Sequence, residues 1–301
     1  MHVVLPSGIR IEYESVGPAT APPIVLVMGL AMQLTAWPLP LVSGLRERGF
    51  RVVRFDNRDA GLSSRIEPSR PIDLRGAAVR ALLGLRVPAP YTLQDMAADA
   101  VGLMDALGIA RAHVVGASMG GMIAQELAAH WPVRIASMVS IMSSSGARRF
   151  AFHVSPATRA VLRQPPRGAS EEQLIDHLEQ VWRAIGSPGL QSPREALRER
   201  LRANVRRAWS PAGVVRQMLA IMASGDRRPL LRRIAVPALV LHGECDRLVP
   251  IAAGRDTAAS IPGAVFESVP GMGHDLPEAL LPLLVDRIAS HCERVPARAA
   301  S

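Results

Sequence analysis

Lysine is absent from this 301-residue chain: all 35 basic side chains are arginine, and against 26 acids they leave a formal charge of +9. An all-arginine choice beside abundant Ala, Gly and Pro reads as coding bias and not as a functional demand. Aromatic residues make up only 4% and the arginines are scattered. A nucleic-acid surface needs a basic stripe interleaved with stacking rings, so no nucleic-acid partner is expected. Cysteine is scarce too: Cys245 and Cys292 are too few for a disulfide framework and read as free thiols. The longest apolar runs, such as 24–32, fall far short of a bilayer's thickness, so no membrane span is expected. The start, Met-His-Val-Val-Leu-Pro, has no charged region leading into a long apolar stretch. That removes a secretory signal and leaves a cytoplasmic protein as the expectation. No His/Cys/carboxylate cluster has metal-ligand spacing, and no phosphate-cradling loop leads into a lysine, so neither metal nor cofactor is expected.

What is present is a chain 49% hydrophobic and 20% charged, enough for one large core carrying an insertion. Segments 2–5 and 9–16, parted by Pro6-Ser7-Gly8, alternate apolar and polar residues and predict a hairpin. Ile24-Val25-Leu26-Val27-Met28 is a continuous apolar run, the pattern of a strand buried on both faces of a parallel sheet. Further strands are predicted at 51–55, 112–115, 135–142, 238–242 and 264–269, with helices at 36–48, 92–107, 122–130, 252–260 and 278–292. Thr92 with Asp95 is a helix-start signal, and Gly49 and Gly108 are stops. Strand and helix by turns predict an α/β fold, a doubly wound and mostly parallel eight-stranded sheet.

Between 143 and 234 the strand pattern vanishes, and helical stretches at 171–185, 194–209 and 214–222 are separated by Pro165-Pro166, Ser187-Pro188 and Ser210-Pro211. This predicts a helical cap, residues 143–234, inserted into a core formed by 1–142 and 235–301. The proline-bounded segment 66–90 predicts a further lid helix. The run 194–207, rich in arginine with Leu197, Leu201 and Val205 on one stripe, predicts an amphipathic helix with a solvated basic face.

Chemistry gathers on Val114-Val115-Gly116-Ala117-Ser118-Met119-Gly120-Gly121-Met122. Apolar residues run in and a good helix former runs out, which is the strand, sharp turn and helix in which Gly-x-Ser-x-Gly carries a mechanism. Side chains at Gly116, Gly120 or Gly121 would crowd the neighbouring strand and helix, and Ser118 would stand at the sheet edge above a helix N-terminus. A serine hydroxyl is a poor nucleophile until a base takes its proton, and that base needs a carboxylate to orient it. His274 follows the last predicted strand and Asp246 the one before it, so both fall at the same sheet edge as Ser118. Asp275, beside the base, is the nearest rival acid, with Glu244 and Asp256 further off. Of the other histidines, His113 and His242 fall in or at strands and read as packed, while His153 and His177 fall in the cap, where surface placement outweighs substrate contact.

Over nearly its whole length the chain resembles an α/β-hydrolase, with Gly116 to Gly121 as nucleophile elbow, Leu241-His242-Gly243-Glu244-Cys245-Asp246 as acid loop and Gly273-His274 as base loop. The order Ser118, Asp246, His274 is the one that fold requires. Asp56-Asn57-Arg58-Asp59-Ala60-Gly61-Leu62-Ser63 also resembles a segment recurrent in capped members, and together with Val27-Met28-Gly29 it resembles bacterial carboxylesterases of the aclacinomycin methylesterase type. The resemblance implies two oxyanion-hole donors, the backbone N–H groups of Leu30 and Met119. Many relatives carry His-Gly where this chain has Met28-Gly29, but a backbone donor does not depend on the side chain before it.

These features imply a serine hydrolase acting on a small-molecule ester through Ser118, His274 and Asp246, with a homodimer left open. The resemblance leaves three other uses of the same residues: cofactor-free perhydrolysis of the haloperoxidase kind, iminopeptidase-like amide cleavage, and hydrolysis of a carbon–carbon bond. A non-enzymatic receptor for a small ligand is the remaining alternative. Serine at 118 argues against the dehalogenase and epoxide hydrolase branches, which the resemblance associates with an aspartate nucleophile. Met28, Met32, Met119, Met142, Met222 and Met272 suggest an adaptable hydrophobic pocket, although methionines at such positions are also ordinary core.

Overall fold

A computed structural model describes residues 1–67, 73–151, 155–163, 165 and 168–295. Its strands are β1 (His2–Val4), β2 (Arg10–Val16), β3 (Pro23–Val27), β4 (Arg51–Phe55), β5 (Ala112–Ala117), β6 (Ile135–Ile141), β7 (Ala238–Gly243) and β8 (Val265–Val269). They form one eight-stranded sheet in the order β1-β2-β4-β3-β5-β6-β7-β8. The predicted hairpin is β1 with β2, and β2 pairs antiparallel with β4; all pairings from β4 to β8 are parallel. Strand order sets β3 against β5 with Val27 opposite Gly116, so the loops leaving these two strands emerge side by side.

The first half of the chain supplies helices α1 (Leu39–Glu47), α2 (Leu74–Leu83), α3 (Leu93–Ala106) and α4 (Met119–His130). Between β6 and β7 come α5 (Arg148–Ala151), α6 (Pro156–Leu162), α7 (Glu171–Ile185), α8 (Arg194–Arg207), α9 (Pro211–Ser224) and α10 (Arg228–Leu231), and α11 (Ile251–Ser260) and α12 (Leu281–Glu293) finish the chain. Successive strand residues serve opposite faces. Val25, Val27, Val53 and Val114 pack with α3 and α4, whereas Ile24, Leu26, Val52 and Val115 pack with α1 and α12. That double burial is why the strands read as unbroken apolar runs.

Proline moved two helix starts away from their predicted places. Pro38 precedes α1 and Pro282 sits in the first turn of α12, so the residues ahead of them, Leu34–Ala36 and Glu278–Leu280, form separate 3-10 turns. The start at Thr92 has the full reciprocal cap: Asp95 N donates to Thr92 Oγ1 at 3.2 Å, and Thr92 N to Asp95 Oδ2 at 2.7 Å. The helix expected in 66–90 is α2, which packs Leu74, Ala77 and Ala81 toward Leu219, Met222 and Ala223 of α9.

The basic face expected on α8 is not free. Arg198 reaches Glu172, Asp176 and Glu179 of α7, Arg202 reaches Glu172, and Arg206 reaches Glu171. Arg198, with Arg183 and Arg194, holds the Glu179 carboxyl well below the ordinary range, at about 2. Sequence periodicity identified the stripe of α8 but could not reveal that an acidic helix lies across it. Among the described residues no helix is long and apolar enough to cross a membrane.

Both strand histidines are packed inside. His113 on β5 is buried, with Nδ1 2.8 Å from Ser137 Oγ. Burial, reinforced by His291 and Arg111, lowers its pKa to about 4, and burial lowers those of His242 and His291 as well. An unfolded chain takes up protons on these imidazoles below pH about 6.5, whereas the folded chain resists them. Stability is therefore complete above that pH and is lost as the pH falls from about 6.5 toward 4, by about 3 kcal/mol for His113 alone. Urea midpoints measured from neutral to mildly acid pH should fall accordingly, and less steeply in His113→Gln; a flat wild-type profile would contradict this account.

Candidate active site

β5 ends at Ala117 and α4 starts at Met119, which leaves Ser118 alone to turn the chain, at φ 55° and ψ −119°. Such a backbone is strained for a residue with a Cβ. It is pinned from both sides: Ser118 N donates to Ile141 O at 2.9 Å, and Ser143 Oγ donates to Ser118 O at 2.7 Å. Only glycines fit around it. A Cβ on Gly116 would lie 2.0 Å from Gly120 O, one on Gly120 1.9 Å from Val27 O, and one on Gly121 2.6 Å from Ser143 Cβ. The loop after β3 runs close by, since a Cβ on Gly29 would stand 3.1 Å from Ser118 Cβ and 3.6 Å from its Oγ.

His274 Nε2 is 3.0 Å from Ser118 Oγ, and His274 Nδ1 is 2.7 Å from Asp246 Oδ2. Both loops that carry these groups are anchored. His274 N donates to Ile185 O at 2.8 Å, and Gly273 N to Ser187 Oγ at 2.7 Å. Asp246 Oδ1 accepts the N–H groups of Leu248 at 2.9 Å and Val249 at 2.8 Å, which leaves Oδ2 for the imidazole. A carboxylate at Nδ1 assigns the proton there, so Nε2 carries its lone pair toward the serine hydroxyl. Beneath lies His242, with Nε2 2.9 Å from Val249 O and 3.6 Å from Asp246 Oδ2. Burial lowers its pKa, so it stays neutral and pins Val249 without competing for the acid.

The rival acids face elsewhere. Asp275 Oδ1 accepts Ser187 N at 3.0 Å and the Ser187 hydroxyl, and burial raises its pKa. Glu244 takes the Ser268 hydroxyl, and Asp256 binds Ser145 and Arg149. His177 is half-buried near Arg163, and His153 lies outside the described residues. Among the described residues no group of three His, Cys, Asp or Glu side chains could hold a metal. Cys245 is half-buried and Cys292 buried, its thiol pushed up to about 12.

Leu30 N and Met119 N have no acceptor among the described residues, although neighbouring groups of the loop around Leu30 are tied. Asn57 Nδ2 donates to Met28 O at 2.9 Å, Met32 N to Gly29 O at 3.2 Å, and Ala31 N to Gln217 Oε1 at 2.9 Å. Segment 56–63 turns out to be the seat of the helices above it. Asp56 accepts Leu34 N at 2.6 Å and Arg207 Nη1 at 2.8 Å; Asp59 accepts Arg216 through both oxygens at 2.9 and 2.6 Å, and Tyr91 OH at 2.7 Å. Sequence reasoning missed Arg207, Arg216 and Gln217. The signal was there in part, since Arg216 and Gln217 interrupt the otherwise apolar Val214 to Met222. The methionines, in contrast, are mostly packing: Met28, Met142 and Met272 lie in one sheet core and Met119 in the other.

Comparison with known proteins gives a consistent result. The sequence model of the family described as alpha/beta hydrolase fold matches residues 22–278. Rhodomycin D methylesterase DauP from Streptomyces sp. (strain C5) is 28% identical over 297 residues, covering 92% of this chain and 93% of that protein. A pimeloyl-[acyl-carrier protein] methyl ester esterase from Chromobacterium violaceum is 34% identical over 166 residues, 54% of this chain and 63% of that one. Among solved structures, an enol-lactonase from Burkholderia xenovorans LB400 superimposes with a TM-score of 0.74 at 24% identity, covering 97% of this chain and all (100%) of its own.

Proposed function

We propose that this chain, which belongs to the α/β-hydrolase fold family, is a serine carboxylesterase that cleaves an ester of a hydrophobic small molecule. The observation that carries the reading is the unbroken relay from Ser118 Oγ through His274 to Asp246, at 3.0 and 2.7 Å, beside two backbone N–H groups without acceptors among the described residues. The relatives named as methyl esterases support an ester as substrate, and a methyl ester in particular. Residues 143–234 act as the cap over the core formed by 1–142 and 235–301.

In the reaction, Ser118 Oγ attacks the ester carbonyl while His274 Nε2 takes its proton. Negative charge moves onto the carbonyl oxygen, where the Leu30 and Met119 N–H groups receive it, a contribution of about 3 kcal/mol per donor. Asp246 holds the imidazole by Nδ1 and stabilises the imidazolium that forms. His274 then gives the proton to the departing alkoxide, and an acyl group remains on Ser118. Water, deprotonated by the same imidazole, releases the acid and restores the serine. Glu244, Asp256 and Asp275 have no part, because each is engaged away from His274.

A panel of methyl esters of polycyclic and aromatic acids, run beside prolyl amides and β-diketones, tests the reaction class. The expected outcome is turnover of the esters and a single fluorophosphonate adduct, located on Ser118 by peptide mass spectrometry. Amides or diketones turned over faster than every ester, or an adduct elsewhere, would refute it.

A further inference from the structure

Gln217 on α9 is completely buried and spans two loops of the sheet edge. Its Oε1 accepts Ala31 N at 2.9 Å, and its Nε2 donates to Arg58 O at 2.8 Å. Acceptor meets N–H and donor meets C=O, so the amide can stand only one way round. Ala31 needs such a hold. Its φ of 64° is left-handed, a conformation that a residue with a Cβ leaves unless the surroundings impose it. The neighbouring carbonyls are held separately, Met28 O by Asn57 and Gly29 O by Met32 N. Leu30 N has no acceptor among the described residues, and its direction is set by the bonds that Ala31 N and Gly29 O make on either side.

The seat of α9 is equally specific. A Cβ on Gly213 would lie 2.2 Å from Asp59 O, so the first turn of the helix touches segment 56–63 backbone to backbone. One residue before Gln217, Arg216 closes its two-pronged ion pair with the buried Asp59. Gln217 is thus delivered to Ala31 by a helix that can dock in one register only.

We propose that Gln217 is a positioning residue for the oxyanion loop, so that docking of α9 and correct aim of the Leu30 N–H are a single event. The inference rests on the reading of Leu30 as an oxyanion donor. It makes the roof over the substrate part of the machinery beneath it: with α9 displaced, Ala31 N loses its acceptor and the loop relaxes away from Ser118.

Two variants test this. Gln217→Leu removes both bonds, and its kcat should fall about 10- to 100-fold, as when a single oxyanion donor is misplaced, with KM changed less than about threefold. Gln217→Glu is the conservative probe. Protonated, its carboxyl reproduces the amide, accepting from Ala31 N and donating to Arg58 O; ionised, it faces Arg58 O with a second acceptor. Its kcat should therefore decline with rising pH across a range where the wild type is level, an effect that general loosening of the fold does not produce. Amide hydrogen exchange in peptides covering 28–33 should quicken in both variants, and this readout is independent of turnover. Exchange unchanged in Gln217→Leu, or kcat within twofold of wild type, would overturn the proposal while Ser118-dependent turnover stands. If Gln217→Leu does not fold, a level pH profile in Gln217→Glu overturns it instead. Failure of the reading beneath it is recognised separately, by wild-type turnover that survives Ser118→Ala.

Discussion

Ser118→Ala should lower kcat toward p-nitrophenyl esters by about 10⁴- to 10⁶-fold, because a triad acts as a unit and loses nearly all its effect with its nucleophile. His274 is committed to Asp246 at 2.7 Å, and Cys245 hangs from the acid loop by its own N–H to Met272 O. The same position tests backbone strain. Alanine keeps the Cβ and with it the cost of φ 55°, so its melting temperature should stay close to wild type. Glycine relieves that cost, and Ser118→Gly should be more stable by about 1 to 3 kcal/mol while equally inactive. Stabilisation by glycine with no stabilisation by alanine is a signature of dihedral strain, and thermal denaturation of the pair measures it. Equal stability of the two variants would remove strain from the account.

Gly120→Ala should be the most damaging single methyl group in the sheet edge. Its Cβ would stand 1.9 Å from Val27 O and 2.6 Å from Val27 C, backbone atoms that move only with β3. Displacing that strand also shifts Gly29 and Leu30, so both fold and chemistry pay. The expected loss exceeds about 3 kcal/mol, at the upper end of overpacking costs, even though alanine is the better helix former by about 1 kcal/mol. Gly108→Ala is the comparison to run beside it. Gly108 has φ 65° and no atom within 4 Å of an added Cβ, so it bears a dihedral cost alone, about 1 kcal/mol. Urea denaturation of the two proteins separates collision from conformation; equal losses would show that the contact with Val27 yields easily.

Much of the sheet could be read from the chain because its signals are local. Strands buried on two faces are apolar without interruption, as from Ile24 to Val27, and crossovers of one hand follow once helices intervene. The meeting of Ser118, Asp246 and His274 at one sheet edge was legible for a related reason, since each follows a strand end and their order is that of the fold. Asp246 is favoured over Asp275 because adjacent side chains seldom orient one another; what the sequence does not show is that Ser187, 88 residues from Asp275, draws that carboxylate away. Gln217 was less legible still. Its partners Ala31 and Arg58 lie 186 and 159 residues away, so no window of sequence contains the bond. The short helices α5, α6 and α10 escaped because four to seven residues carry too little periodicity to be told from a loop.

The helix pair α7–α8 has a small apolar centre of its own, Ile175, Leu197 and Leu201 with Leu178 and Trp182, separate from both cores of the sheet. Its links to the sheet edge that carries Ser118 are polar and sit at the ends of the two helices: Ile185 O with His274 N, and Arg207 with Asp56. Inheritance can therefore work on the two parts at different speeds. Mutations that repack the interior of the pair leave the register of β3 and β5 untouched, whereas the two end contacts must persist in every descendant. The interior of the pair is thus free to vary while its seat on the sheet edge is kept.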